Sequence, residues 1–206
     1  MNEIIKNPPP HNFSKWKNAN RRISINYKDI PDIIKCELKE SIITEQNYVC
    51  CYCGVEVSIE NSHIEHHKPK DRFPKMELAY ENLLVSCNSK SHCGHKKANW
   101  YVENETVSPL AKDCNLKFKY TEDGQIIASN DKDSCTTNTI MNLGLNIAKL
   151  NAIRSKIIEG IMYLIEQEEN ISLEDLIDEY SKPNADGKLY SYNQVIIGVL
   201  KDNYNL

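Results

Sequence analysis

Three short stretches in the first half of the chain decide the fold: CCYCG at positions 50–54, HIEHHKP at positions 63–69 and CNSKSHCGHKK at positions 87–97. Five of the eight cysteines and five of the six histidines fall between positions 50 and 97. The N-terminus lacks the apolar stretch of a signal peptide, and reducing compartments do not sustain a disulfide framework. A bound metal is therefore the simplest reason for gathering these side chains.

Two cysteine pairs frame a candidate zinc site. Cys50 and Cys53 have the spacing C-x2-C, whereas Cys87 and Cys93 are separated by five residues, a spacing that a loop tolerates. Four thiolates at about 2.3 Å form a closed tetrahedral zinc site, and such a site contributes folding energy directly. Cys51 could replace Cys50, although one intervening residue makes a poor chelate. The alternatives are a redox pair or small buried hydrophobic residues. We expect the other cysteines to be packing residues: Cys36, Cys114 and Cys135.

An acidic residue and a histidine, Glu65 and His66, lie between the two cysteine pairs. Hydrolysis of a phosphodiester needs an activated water and positive charge beside the phosphate, which one divalent ion held by a carboxylate and an imidazole can supply. A neutral imidazole with a pKa near ~6.5 can take the proton from that water. We predict Glu65 and His95 as metal ligands and His66 as the general base. His63, on the same strand face as Glu65, could be a ligand instead.

These stretches resemble the pattern of HNH endonucleases: a C-x2-C knuckle, an acid-histidine pair followed by a proline, an Asn-Leu pair, and a second cysteine pair that leads into a helix. The resemblance implies an α+β chain with a ββα-metal catalytic module, a structural Zn²⁺ and a catalytic divalent metal, Mg²⁺. It places Glu65 and His66 on the family's acid-histidine pair and His95 near its last ligand. It places Asn82 on the central asparagine, which pins the loop between the two strands. Two departures are Glu65, where Asp is more frequent, and His95, which stands two residues after Cys93 rather than one.

Phrases outside this module resemble the HNH subunits of Septu-type and retron-associated anti-phage systems, among them SPL at 108–110 and TIMNLGL at 139–145. This resemblance implies a nuclease that works with an ABC-type ATPase subunit, and in some systems with a reverse transcriptase and its RNA–DNA product. The chain has no Walker A motif, so it is not itself the ATPase.

We predict three segments in a mainly helical chain: an N-terminal arm and helix (1–45), the nuclease module with its zinc knuckle (46–100), and a mixed hairpin and helical accessory region suited to partner docking (101–206). Hydrophobic periodicity and turn residues predict the individual elements. The first are an irregular arm over residues 1–27 and a helix with Pro31 in its first turn, whose apolar face consists of Ile30, Ile33, Ile34, Leu38 and Ile42. A hairpin over residues 118–127 follows. The remaining elements are one long helix from Thr139 to Gln167, a short helix opened by Ser172, and a last helix from Tyr192 to Tyr204.

The net charge of −4 hides a basic segment. Residues 66–100 contain seven Lys or Arg and three Asp or Glu. Because phosphate attraction is local, screened over about 10 Å at 0.1 M salt, this segment matters more than the total charge. A solvated lysine-rich loop is the alternative interpretation. The predicted phosphate contacts are Lys68, Lys70, Arg72, Lys96 and Lys97.

The sequence thus predicts a cytoplasmic, metal-dependent nuclease that acts on DNA, with tRNA as the alternative substrate. No apolar run approaches the ~20 residues that cross a bilayer. The rival interpretation is a non-catalytic zinc-ribbon-like module that binds nucleic acid or protein, and a third is a sensor with a decayed metal site. A binding knuckle has no use for Glu65 and His66, which favours the enzyme. We expect the other histidines to be surface or core residues: His11, His67 and His92.

Overall fold

Helices and two small antiparallel sheets make this an α+β protein, as the sequence predicts. The computed structural model describes residues 1–167 and 171–204. The helices and strands, in chain order, are α1 (His11–Ala19), α2 (Asp32–Glu45), β1 (Ser62–His66), β2 (Leu83–Cys87), α3 (Cys93–Lys97), β3 (Phe118–Tyr120), β4 (Ile126–Ala128), α4 (Ser134–Asn142), α5 (Ala148–Gln167), α6 (Leu173–Ser181) and α7 (Asn193–Tyr204).

Strands β1 and β2 form a two-stranded antiparallel sheet that the short helix α3 follows. The register pairs Ser62 with Cys87 and His66 with Leu83. Strand β2 is buried along its whole length, which suits its run of apolar residues. The sheet therefore supplies a fixed platform on which β1 presents alternate side chains to opposite faces.

The end of α2 is fastened to β2 by the buried side chain of Gln46. Its amide nitrogen donates to the carbonyl oxygens of Val49 and Val85, both at 2.9 Å, and its amide oxygen accepts from the Val85 N–H at 2.7 Å. A buried amide whose hydrogen bonds are made adds specificity without a desolvation penalty. The helix and the sheet are thereby held in one orientation.

The largest hydrophobic cluster draws residues from Met1 to Leu145 and surrounds the sheet. Two smaller clusters join α5 to the elements that follow it: one is centred on Leu150, Ile158 and Val195, and the other on Ile161 and Leu200. No observation tests the division into three segments, which stays a prediction.

Several predicted elements are confirmed. The hairpin pairs Phe118 with Ala128 through β3 and β4. The Ser172 side chain caps α6 by accepting a hydrogen bond from the Asp175 N–H, as a capping serine does. The last helix, α7, spans all but the first residue of its predicted range.

The irregular arm predicted for residues 1–27 is wrong in its middle, because α1 occupies His11–Ala19. The three prolines come before the helix, and Pro10 takes the N-cap position, where its missing N–H costs nothing. Phe13 is 1% exposed and stacks near Trp16, so tertiary packing stabilises this short helix. In α2, Ile33 was expected on the buried face but is 72% exposed.

The single long helix predicted from Thr139 to Gln167 is also wrong. The chain forms two helices, α4 and α5, separated by a bend in which Gly144 has a φ of +61°. Apolar residues continue at helical spacing across the bend, so periodicity alone does not reveal it. The Leu143 carbonyl accepts a hydrogen bond from the Cys93 N–H at 2.8 Å. The bend therefore brings α4 against the start of α3.

No helix within residues 1–167 and 171–204 is long and apolar enough to cross a membrane.

Candidate active site and metal centre

The four cysteines predicted to hold zinc lie together. The Sγ atoms of Cys50, Cys53, Cys87 and Cys93 are all within 4.8 Å of one another, and those of Cys53 and Cys87 are 4.0 Å apart. Thiolates bound at about 2.3 Å in a tetrahedron lie roughly 3.8 Å apart. The arrangement therefore has the size of a four-thiolate metal site. Of the residues that the structure describes, no other set of three or more His, Cys, Asp or Glu side chains has its ligand atoms as close together.

Polar groups around the cluster suit thiolates. The backbone N–H of Cys87 donates to the Cys50 Sγ atom at 3.4 Å, and the His92 Nδ1 atom lies 3.1 Å from the Cys93 Sγ atom. Contacts with neighbouring thiols shift the pKa of Cys87 to about 6: the contact with Cys50 raises it, whereas those with Cys53 and Cys93 lower it. The N–H and imidazole contacts are those that orient metal-binding sulfur atoms.

A second group of ligand atoms lies on the β1 face beside α3. His63 and Glu65 point to this face, with the His63 Nε2 atom 3.6 Å from the Glu65 Oε2 atom. Gly94 lies opposite them. A Cβ atom at this position would stand 2.6 Å from the Glu65 Oε2 atom and 2.7 Å from the His63 Nε2 atom. The missing side chain thus leaves a cradle over a carboxylate oxygen and an imidazole nitrogen.

The charges in this cradle are coupled. Burial raises the pKa of Glu65, but His63 and Lys97 lower it by more, so the net shift is downward and the carboxylate is favoured. Burial lowers the pKa of His63, but the Glu65 carboxylate more than offsets this, so its net shift is upward. Glu65 is therefore a buried anion that attracts cations to one face of the sheet.

His95 borders the same face from helix α3. Its ring centroid lies 4.2 Å from that of His63, and the residue is exposed. Burial, with the charge of His63, lowers the pKa of His95 and favours the neutral imidazole that a metal requires. The structure therefore brings together Glu65, His95 and the alternative ligand His63.

His66 points to the opposite face of β1, as strand alternation requires. Its Nε2 atom lies 3.0 Å from the Glu77 carbonyl oxygen, and its ring meets the Tyr27 ring edge-on at 5.0 Å. Burial lowers its pKa. His66 nevertheless lines, with Glu65 and His95, one open cavity of about 320 Å³.

Asn82 lies just before β2 and is 2% exposed. Its Oδ1 atom accepts from the Lys68 N–H at 2.7 Å, and its Nδ2 atom donates to the carbonyl oxygens of Lys68 and Met76 at 2.9 and 3.0 Å. Its own carbonyl accepts from the His67 N–H at 3.0 Å. These bonds hold the loop between the two strands, the place that the family pattern gives to its central asparagine.

Four of the five predicted phosphate contacts lie at or near the protein surface. Lys70 lines the cavity, Arg72 and Lys96 are exposed, and Lys68 is partly exposed beside Glu103. Lys97 differs. It is 2% exposed, and its Nζ atom lies 2.7 Å from the Glu65 Oε1 atom. The Lys97 side chain points inward from α3 and pairs with the buried Glu65 carboxylate, whereas the sequence predicts a contact with phosphate.

The remaining histidines have different surroundings. His67 is buried against Tyr101, its Nδ1 atom has no hydrogen-bond partner among the residues that the structure describes, and burial lowers its pKa to about 4. His11 is exposed on α1. His92, expected to be a surface or core residue, is buried, and its Nδ1 atom contacts the Sγ atoms of Cys87 and Cys93. Its position next to Cys93 was the one available signal.

No protein family model matches the chain. A protein of Vibrio cholerae serotype O1 biovar El Tor named "Retron Vc95 putative HNH endonuclease" is 33% identical over 144 residues, which are 64% of this chain and 68% of the relative. The Septu protein PtuB of Bacillus thuringiensis is 28% identical over 147 residues, which are 66% of this chain and 53% of that protein. The chain thus spans about half the length of the Septu relative.

The identity to these relatives confirms the family that the sequence motifs predict. The chain belongs to the family of HNH nucleases found in retron and Septu defence systems.

Proposed function

We propose that this chain is a metal-dependent HNH endonuclease that hydrolyses phosphodiester bonds of nucleic acid as the effector subunit of an anti-phage defence complex. The observation that carries the proposal is the cradle opposite Gly94, where Glu65 and His63 present an oxygen and a nitrogen to a space that any side chain would fill. The family relationship supports the same activity.

In this proposal β1, β2 and α3 form the ββα-metal module within residues 46–100, and residues 101–206 form the accessory region. Zn²⁺ is the proposed occupant of the four-thiol cluster, since four thiolates suit that ion. Its proposed role is structural, because four protein ligands leave no open position for substrate. Cys50 and Cys53 come from the knuckle, Cys87 ends β2 and Cys93 begins α3, so the site would fix the module's three parts.

The cradle fits a catalytic divalent cation. Glu65 and His95 would hold it, with His63 as a third or alternative ligand, and waters would fill the remaining positions. The bound ion would supply positive charge to the phosphate and to the leaving oxygen. We propose Mg²⁺, which carboxylates and water suit, although imidazole nitrogens also suit transition metals. A comparison of Mg²⁺, Mn²⁺ and Zn²⁺ in the cleavage assay tests this choice.

His66 is the proposed general base. The Glu77 carbonyl is an acceptor only, so the Nε2 atom of His66 donates to it at 3.0 Å as N–H. In the neutral ring the lone pair then lies on Nδ1. That atom would take the proton from the attacking water. Asn82 is proposed to act indirectly, by fixing the loop that carries the basic residues.

Nucleic acid is the proposed substrate, with DNA as the first choice and tRNA as the alternative. Lys70 lines the cavity, and Lys68, Arg72 and Lys96 lie at or near the protein surface; all four are proposed to neutralise phosphates. Phosphate contacts position a nucleic acid without reading its bases. They therefore support a nucleic acid substrate and leave the choice between DNA and tRNA to experiment.

We propose that the chain works with an ABC-type ATPase subunit, and in a retron setting also with a reverse transcriptase and its RNA–DNA product. The family relationship carries this part of the proposal, since one relative is named for a retron and the other for Septu. Co-purification of the chain with an ABC-type ATPase subunit from the same source tests the partnership.

The deciding experiment incubates the purified chain, with and without its ATPase partner, with plasmid DNA and total tRNA in Mg²⁺. His66→Ala removes the proposed base, and His11→Ala, an exposed histidine on α1, is the matched control. We expect cleavage by the wild type and by the control, and a loss of at least about 100-fold in the His66 variant, because general-base catalysis contributes about 10² to 10⁴.

Equal cleavage by all three proteins would remove His66 from the mechanism. No cleavage by any of them, with the partner present and zinc retained, would favour the zinc-ribbon-like binding module instead.

A further inference from the structure

The proposed mechanism leaves one buried charge without a role. Lys97 is 2% exposed, and its ammonium group contacts the Glu65 Oε1 atom at 2.7 Å and the His66 carbonyl oxygen at 3.0 Å. A buried ammonium costs several kcal/mol unless it is paired and hydrogen-bonded. Lys97 meets both conditions with the two residues, Glu65 and His66, on which the proposed chemistry depends.

The two oxygens of Glu65 have different surroundings. Oε1 faces inward, where it accepts from Lys97 at 2.7 Å and from the Tyr52 hydroxyl at 3.2 Å. Oε2 faces the cradle, beside the His63 Nε2 atom and under Gly94. The carboxylate therefore cannot rotate without breaking two buried hydrogen bonds and leaving their donors unsatisfied.

We propose that Lys97 is a positioning residue that keeps Oε1 of Glu65 turned inward, so that Oε2 alone faces the catalytic cation. The same ammonium group also fixes the backbone of His66. This inference rests on the proposed function, because it takes Glu65 to be a metal ligand. In this proposal Lys97 determines which oxygen of Glu65 is available to the metal, and it does not contact the substrate.

A lysine suits this position better than an arginine. The ammonium is a compact point charge with three donors, two of which are used here, whereas the guanidinium is planar and larger. The side chain of Lys97 is 1% exposed, so a planar guanidinium would have to fit among buried neighbours. Lys97→Met keeps much of the side chain's length and apolar surface and removes only the charge and the donors.

The proposal predicts that Lys97→Met lowers turnover without weakening metal binding. Without the neighbouring positive charge, the Glu65 carboxylate attracts a cation more strongly and can turn both oxygens toward it. We expect Mn²⁺ to bind as tightly as in the wild type or up to about tenfold more tightly. Turnover at saturating Mn²⁺ should fall by about 10- to 100-fold, the usual effect of an outer-shell change at a metal site.

The experiment titrates the zinc-loaded full chain with Mn²⁺, follows bound Mn²⁺ by electron paramagnetic resonance, and measures cleavage of the substrate found for the wild type. A merely structural role for Lys97 would weaken Mn²⁺ binding and restore turnover at high Mn²⁺, and that result would overturn the proposal. Unchanged affinity together with unchanged turnover would overturn it as well.

Two further variants keep the outcome decisive. Glu65→Gln must lose Mn²⁺ binding, and if it does not, the proposed function fails rather than the role of Lys97. Tyr52→Phe removes only the other donor to Oε1 and replaces Lys97→Met if that protein does not fold. Lower turnover without weaker Mn²⁺ binding in Tyr52→Phe supports the proposal, whereas wild-type values for both overturn it.

Discussion

At the scale of single residues, the candidate site depends on one missing side chain. Gly94 lies in α3 with an ordinary helical backbone, so conformational freedom does not explain the glycine. What explains it is the close approach of Glu65 and His63 to its Cα atom. A methyl group there would stand 2.6 Å from the Glu65 Oε2 atom and 2.7 Å from the His63 Nε2 atom, in the space of the proposed metal site.

Gly94→Ala is therefore expected to abolish the cradle while leaving the helix intact. The new Cβ atom displaces the Glu65 and His63 side chains, and we expect nuclease activity to fall by at least about tenfold, as outer-shell changes at metal sites do. Zinc content, thermal unfolding and cleavage rate measured together check this outcome.

Gly160→Ala is the matched control, because nothing lies within 4 Å of a Cβ atom at this position in α5. It should leave activity unchanged and raise stability by about 0.5–1 kcal/mol. Full activity in Gly94→Ala would show that Glu65 and His63 do not form the metal site.

Residue chemistry also explains how much of the site could be predicted from the sequence. The spacing of Cys50 and Cys53 is a local signal, and the prediction of the four-thiol cluster is confirmed. The roles of Glu65, His66 and His95 stay predictions. The burial of Lys97 could not be predicted, because in the sequence Lys97 continues a basic run and only the packing of α3 shows that it is buried.

At the scale of elements, a buried guanidinium fastens the β3–β4 hairpin to α5. Arg154 donates to the Gly124 carbonyl at 2.6 Å and to the Leu145 carbonyl at 2.8 Å. Gly124 has a φ of +78°, and a Cβ atom on it would stand 2.0 Å from the Asn151 carbonyl oxygen. The β3–β4 turn, the bend before α5 and α5 itself are therefore packed too tightly at this point for a further methyl group.

Gly124→Ala should be among the most destabilising single changes in the chain. The methyl group collides with the backbone of α5, and the residue must also keep a positive φ. We expect a loss of more than about 2 kcal/mol in the free energy of unfolding, measured by urea denaturation.

Gly187→Ala separates the two causes, since Gly187 has a φ of +75° but nothing within 4 Å of its Cβ position. It should cost only about 1–2 kcal/mol, the price of the left-handed backbone. Equal losses in the two variants would mean that the contact with α5 is not tight in solution.

Local signals explain which elements could be predicted. The Asp-Gly turn of the hairpin and the Ser172 cap depend on neighbouring residues, and both predictions are confirmed. The break between α4 and α5 has a local signal that helical periodicity does not contain: Gly144 has a positive φ, and the Leu145 N–H donates to the Ile140 carbonyl, as at a glycine C-cap. Helix α1, by contrast, is stabilised by the burial of Phe13 in the tertiary structure.

At the scale of the whole molecule, the thiol cluster joins segments that are far apart in the chain. The knuckle residue Gly54 accepts a hydrogen bond from the Tyr192 N–H at 2.7 Å, just before α7. The Leu143 carbonyl accepts the N–H of Cys93. Disturbing the cluster should therefore affect the second half of the chain as well as the module around it.

Cys53→Ser is expected to reduce bound zinc from one ion per chain to none and to lower the midpoint of thermal unfolding by more than about 10 °C, because structural zinc contributes folding free energy directly. Zinc released to a chromogenic chelator and circular dichroism measure the two effects. Cys36→Ser changes an exposed thiol outside the cluster and should alter neither. A Cys53 variant that unfolds at the wild-type temperature would contradict a structural metal.

The thiol cluster, whose cysteines lie far apart in the chain, has a consequence for synthesis on the ribosome. Cys93 is added 43 residues after Cys50, which at about 5–20 residues per second is a delay of roughly 2 to 9 seconds. The acceptor at Leu143 follows a further 50 residues later. Until Cys87 is added, the nascent chain offers the metal only two of its four predicted ligands, Cys50 and Cys53. Scarcity of zinc in the cell should then lower the yield of folded chains rather than the activity of each folded molecule.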